Sequence, residues 1–143
     1  MASPRVLTGG ASVRVEGLAE LNKALGRLDA ETRGNVLGKA LLKAAEPIEE
    51  EWARLAPRSA SPGGTTGKGH AADHIRSVER HGSRDAEVDI GPESDFFYLV
   101  FAEFGTPHRA AVAPGRRAAD AKLKESVEVF RDELRGRIDR AVR

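Results

Sequence analysis

The segment Gly63-Gly64-Thr65-Thr66-Gly67-Lys68-Gly69 holds the residue types of a phosphate-binding loop, glycine amides and one lysine. Such a loop needs an opening glycine and, directly after the lysine, a hydroxyl that holds magnesium. Here the first position is Pro62 and the second is Gly69, and no strand pattern precedes the segment. It reads as a flexible glycine-rich loop. His70 and His74 are four residues apart and could clamp a metal from one helical face. The residues between them, Ala71, Ala72 and Asp73, place no glutamate as a general base. Serines, histidines and aspartates occur without a spacing that marks an activated nucleophile. No catalytic, cofactor-binding or metal-ligating residue is assigned, and the expectation is a protein that is not an enzyme and uses no cofactor.

The elements that would position any site belong to one domain, residues 1–143, a length that supports a modest core. The 23 basic and 22 acidic residues give a net charge of +1, without the clear basic excess of a free-standing DNA-binding domain. With no cysteine, disulfides and thiolate metal sites are excluded. The start, Met1 to Leu7, has no apolar core of a signal peptide. No apolar run approaches the ~20 residues of a membrane span, so a soluble protein without membrane association is expected.

Residues 1–11, with Pro4, Gly9 and Gly10, read as a flexible arm, and the alternation Ser12-Val13-Arg14-Val15-Glu16 as a short strand. Leu18, Leu21, Leu25 and Leu28 recur at helical spacing, as do Leu37, Leu41, Ala44, Ile48, Trp52 and Leu55 in a second helix from about Glu31 to Leu55. Pro47 either kinks that helix or starts a new one, with Glu49 to Glu51 near its positive end. Residues 58–69 form a flexible loop, and His70 to His81 fits helix or strand equally. Ala86, Val88 and Ile90 alternate with Glu87 and Asp89 as a half-buried strand. Phe97, Val100, Phe101 and Phe104 then lie on one face of a short helix, capped by Ser94 and closed by Gly105; that face is expected to enter the core. A loop over 107–116 leads to a last helix of about Ala118 to Val142, roughly 37 Å long. Leu123, Val127, Phe130, Leu134, Ile138 and Ala141 line its apolar side. The fold class is α+β: a small antiparallel sheet packed with two N-terminal helices, a short aromatic helix and a long C-terminal helix.

The distinctive segment is Phe97-Tyr98-Leu99-Val100-Phe101-Ala102-Glu103-Phe104-Gly105-Thr106. It resembles a hallmark of the head–tail joining or tail-component (neck or minor tail-completion) proteins of long-tailed double-stranded-DNA bacteriophages, in which a tyrosine precedes an aromatic stretch ending in Glu-Phe-Gly-Thr. Tyr98, Phe101, Glu103, Phe104, Gly105 and Thr106 carry the match. Gly17-Leu18 with Leu21 and Leu25, Ala56-Pro57, and Ile90-Gly91 are similar to further family features in the same order. Pro114-Gly115-Arg116-Arg117-Ala118-Ala119 keeps the first proline, an arginine and the final alanine of the family's Pro-Phe-Leu-Arg-Pro-Ala-like stretch but lacks its phenylalanine. The likeness runs over about residues 13–142.

The resemblance implies a structural virion protein at the head–tail junction, in the bacterial host cytoplasm before assembly. Its partners would be copies of itself in a hexameric ring, head-closure or connector proteins, tail-terminator or tail-tube proteins, and DNA passing through the channel without sequence recognition. Glu103 either caps local backbone amides or pairs with an arginine of its own or an adjacent subunit. Arg116 and Arg117 are either solvated loop residues or contacts to a neighbouring subunit or the DNA channel; with Glu103 they are the candidate assembly-interface residues. The alternative is a nucleic-acid-binding regulator, resting on Arg135, Arg137, Arg140 and Arg143; Asp132, Glu133 and Asp139 interleave with these, and no helix-turn-helix pattern is present.

Overall fold

Glycine and alanine recur along the second predicted helix, and a helix with small residues on one side lets a neighbour approach closely. The computed structural model describes residues 17–58, 60, 67–81 and 86–143, and in it this segment is one helix, α2, Ala30–Leu55. Gly34, Gly38, Ala40, Ala44 and Ala45 are buried along it. It packs along the other long helix, α4, Pro114–Ala141, where Ala118 is wholly buried. A shorter α1, Leu18–Leu25, lies against α4, and between the long helices the chain forms a hairpin and the short α3, Leu99–Phe104. The α+β class expected from the sequence is the class observed. The predicted arm 1–11 and strand 12–16 lie outside the described residues, as does most of the 58–69 loop.

Two local devices set the junction of α1 and α2. Asp29 caps α2: its carboxylate accepts from the Thr32 amide at 2.9 Å and the Thr32 hydroxyl at 2.6 Å. The Thr32 hydroxyl, with the amide behind it, holds the Asp29 carboxyl below the usual carboxylate range. Arg33 donates to the carbonyls of Leu25, the last residue of α1, and Leu28, in the turn that follows. Accordingly α1 stops at Leu25, three residues before the predicted Leu28, which remains packed against the core.

Pro47 neither begins a new helix nor divides α2; the helix runs through it to Leu55. The missing proline N–H removes the helical donor of Lys43 O, four residues back. The next carbonyl, Ala44 O, accepts a 2.7 Å hydrogen bond from Ser126 Oγ on α4. The last helix begins at Pro114 rather than Ala118, so Pro114 to Arg117 belong to its first turn and not to a loop. Proline at this position fits because no helical N–H is required of it.

The ambiguous stretch after His70 divides into a single 3-10 turn, Ala71–His74, and strand β1, Ile75–His81. β1 pairs antiparallel with β2, Ala86–Pro92, in the register Ile75↔Pro92 to His81↔Ala86. Periodicity hid β1 because two of its inward positions are polar. Ser77 donates to Glu49 at 2.5 Å and Glu79 pairs with Lys39 at 2.9 Å, both partners being on α2, while Val78 faces out.

The core has two centres. Leu21, Leu25, Val36, Ala40, Leu134 and Ile138 join α1, α2 and α4. Ala71, Ile75, Phe96 and Leu99, backed by Trp52 and Ile90, join the hairpin and α3 to the end of α2. The contact that fixes the second centre to α4 is Trp52 on Gly115: a Cβ at Gly115 would lie 2.7 Å from Trp52 Cζ2. Among the described residues no helix is long and apolar enough to cross a membrane.

Gly115→Ala is therefore expected to destabilise the fold by about 1–3 kcal/mol, as overpacked core positions do. Because Trp52 is the only tryptophan, its emission spectrum should shift as well. An unchanged spectrum and melting temperature would contradict the contact.

Candidate functional site

The hallmark segment falls at the corner where α3 turns into α4. Its apolar residues, together with Phe96 just before it, serve two faces. Phe96, at 2% exposure, and Leu99, at 5%, enter the core, and Ala102 follows on the same side. The face predicted to be buried points outward instead: Phe97 is 67% exposed, Val100 47%, Phe101 53% and Phe104 76%. Both stripes have helical spacing, so periodicity alone could not choose between them. The choice is made by the 3-10 turn Ser94–Phe96, which drives the Phe96 ring under the hairpin against His74, 4.2 Å between centroids and nearly parallel. Ser94 opens that turn and does not cap α3, which begins at Leu99 with no side-chain cap.

Glu103 extends from α3 to the start of α4. Its two carboxylate oxygens accept from the amides of Gly115, at 2.8 Å, and Arg116, at 2.9 Å. These are two of the unpaired amides at a helix start, and the carboxylate charge sits at the positive end of the helix dipole. The residue at the cap position, Ala113, has no side chain able to do this and is held in a left-handed conformation, φ 49°. Of the two roles expected for Glu103, capping is the one found. No arginine pairs with it among the described residues.

Gly105 has φ 75°, a region that favours glycine. A Cβ there would stand 2.8 Å from Ala111 N and 2.9 Å from Arg109 O, so the 109–111 backbone closes over it. Thr106 and Arg109 exchange backbone hydrogen bonds, and Thr106 Oγ1 accepts from the amides of His108 and Arg109. Val112 and Ala113 both donate to Ala102 O, at 2.9 and 3.0 Å. The connection is thus tied to α3 at each end. Tyr98 is half-buried, its ring edge-on to Phe96 and Phe97.

Arg116 and Arg117 are exposed on the first turn of α4, and Arg109 is exposed on the turn before it. None of the three forms a salt bridge among the described residues. The corner therefore displays a phenylalanine face flanked by arginines, residue types enriched at protein interfaces. Gly115 was absent from the sequence-derived site. The Ala113-Pro114-Gly115 run, read as a helix start, would have located it.

The two histidines considered as metal ligands differ in their surroundings. His74 Nδ1 lies 2.8 Å from Glu93 Oε2, and His70 Nδ1 is buried without a hydrogen-bond partner among the described residues. No group of three potential ligands able to hold a metal occurs among those residues. Compared with known protein families, with curated proteins and with solved structures, the chain matches none.

The two faces of α3 predict opposite mutational outcomes. Leu99→Ala should lose about 2–5 kcal/mol of stability. Phe104→Ser should change it by no more than about 0.5 kcal/mol, as exposed substitutions do. Glu103→Ala should lose about 1–2 kcal/mol through the uncapped amides. Denaturant titration separates these, and a large loss for Phe104→Ser would place that face in the core.

Proposed function

We propose that this chain is a structural protein of a tailed bacteriophage or a phage-derived particle, working at the head–tail junction. Copies of it form a ring around the DNA channel and connect head-closure proteins to the tail tube. Its work is assembly, without turnover. The observation that carries this reading is the fate of the hallmark segment. Four of its large apolar residues, Phe97 just before α3 and Val100, Phe101 and Phe104 on it, stand in solvent, and the C-terminal end of that helix is fastened by Glu103, Gly105 and the Ala102 carbonyl. Contiguous exposed apolar surface on a rigid element marks an interaction site, and the segment that displays it is the one that resembles the phage proteins.

The capping of α4 by Glu103 gives the Glu-Phe-Gly-Thr pattern a physical rationale in this chain. The acid fastens the two helices, the glycine lets the connection close over it, and the threonine holds the following turn. Phe104, between them, is left to face a partner. Arg109, Arg116 and Arg117 add charge at the rim, where it steers encounter and fixes register more than it adds affinity.

Deleting the gene from its parent particle should yield full heads and free tails that do not join. The wild-type protein should restore joining, and a Phe97→Ser/Phe101→Ser/Phe104→Ser protein of normal stability should not. Particles that join normally without the protein would refute the reading.

A further inference from the structure

The apolar residues of the corner do not choose their own side. Phe97, Val100, Phe101 and Phe104 together carry more apolar surface than Phe96, Leu99 and Ala102, so burial alone favours the opposite facing. Another contact must hold Phe96 where it is. His74 touches the 93–96 turn at three points. Its carbonyl accepts from the Glu93 amide at 2.9 Å. Its Nδ1 lies 2.8 Å from Glu93 Oε2, and its ring stacks on Phe96, 4.2 Å between centroids with the planes 16° apart. Phe96 closes the turn by donating its amide to the Glu93 carbonyl at 2.8 Å.

Both members of this grip are anchored. Arg76 Nε holds the second Glu93 oxygen at 3.1 Å, so the carboxylate that meets His74 is itself fixed. His74 ends the 3-10 turn whose Ala71 and Ala72 are buried, and Ile75 directly after it is 2% exposed. On the far side of the ring, a Cβ at Gly69 would stand 3.4 Å from Nε2, so the chain backs the imidazole there.

We propose that His74 is a positioning residue for the interaction face. By gripping the turn at Glu93 and Phe96 it sets which side of α3 is buried, and so keeps the phenylalanines in solvent. The ring gives Phe96 an apolar seat beneath the hairpin, and the contact with Glu93 fixes the residue from which the turn starts. Without that grip the larger stripe competes with Phe96, Leu99 and Ala102 for the same space. The consequence for joining heads to tails rests on the function proposed above; the positioning is read on the purified protein alone.

The chain has no cysteine, so single introduced thiols report the facing. Phe104→Cys stands on the exposed side of α3 and Ala102→Cys on the core side. A soluble thiol reagent is expected to label Phe104→Cys about ten-fold faster than Ala102→Cys, as local protection requires. Adding His74→Ala should erase most of that ratio. His74→Phe keeps a ring on Phe96 and should retain part of it. Arg58→Ala, which removes the exposed ion pair to the neighbouring Asp73, should leave the ratio unchanged. Amide exchange of α2 in the same proteins should stay slow, which separates a lost facing from a lost fold. A ratio that His74→Ala does not alter would overturn the proposal. So would fast exchange of α2 in that variant, because His74 would then support the whole fold and not the facing. In either case the triple phenylalanine variant still tests the proposed function by itself.

Discussion

Two hydrogen bonds accepted by one carboxylate hold the corner between α3 and α4 together. Glu103 belongs to a helix of six residues, too short to be stable alone, and it closes the first turn of a helix of 28. The long helix cannot cap itself, because its cap residue is an alanine and its first residue a proline. Each helix thereby supplies what the other lacks. The glycine beneath the carboxylate receives the Trp52 ring, so α2, α3 and α4 are joined within a few residues of one another. The orientation of the aromatic face follows from this fastening and from the burial of Phe96 and Leu99 behind it.

The far half of the molecule is built on the same two long helices. Small residues on α2 let α4 approach, Ser126 donates to a carbonyl one turn before Pro47, and α1 completes an apolar cluster around Leu134 and Ile138. The outer side of that cluster stays open as an apolar groove. Because α2 and α4 run through both core centres, the aromatic corner and the groove hold a fixed separation.

The helices and β2 were legible because their apolar residues recur at regular spacing. The segment between them was legible in content but not in facing. Phe97, Val100, Phe101 and Phe104 form a convincing stripe, yet Phe96, Leu99 and Ala102 form another, and only the turn at Ser94–Phe96 decides between them. β1 was unreadable for a different reason: its inward Ser77 and Glu79 are satisfied by Glu49 and Lys39, residues nearly thirty and forty positions away. Glu103 was recognised as a residue with either a capping or a pairing role. Its bond to amides a dozen positions on could not be deduced without knowing where α4 starts. Pro114 carried that information and was read as loop.

The most direct test of assembly through the α3 face is the solution mass of the purified protein, by light scattering, alone and with the head-closure and tail proteins of the proposed particle. The account predicts a closed ring of several copies in the mixture, and only the subunit mass for a protein whose three exposed phenylalanines are serine. A wild-type protein that ignores those partners and forms a stable dimer on duplex DNA would contradict it.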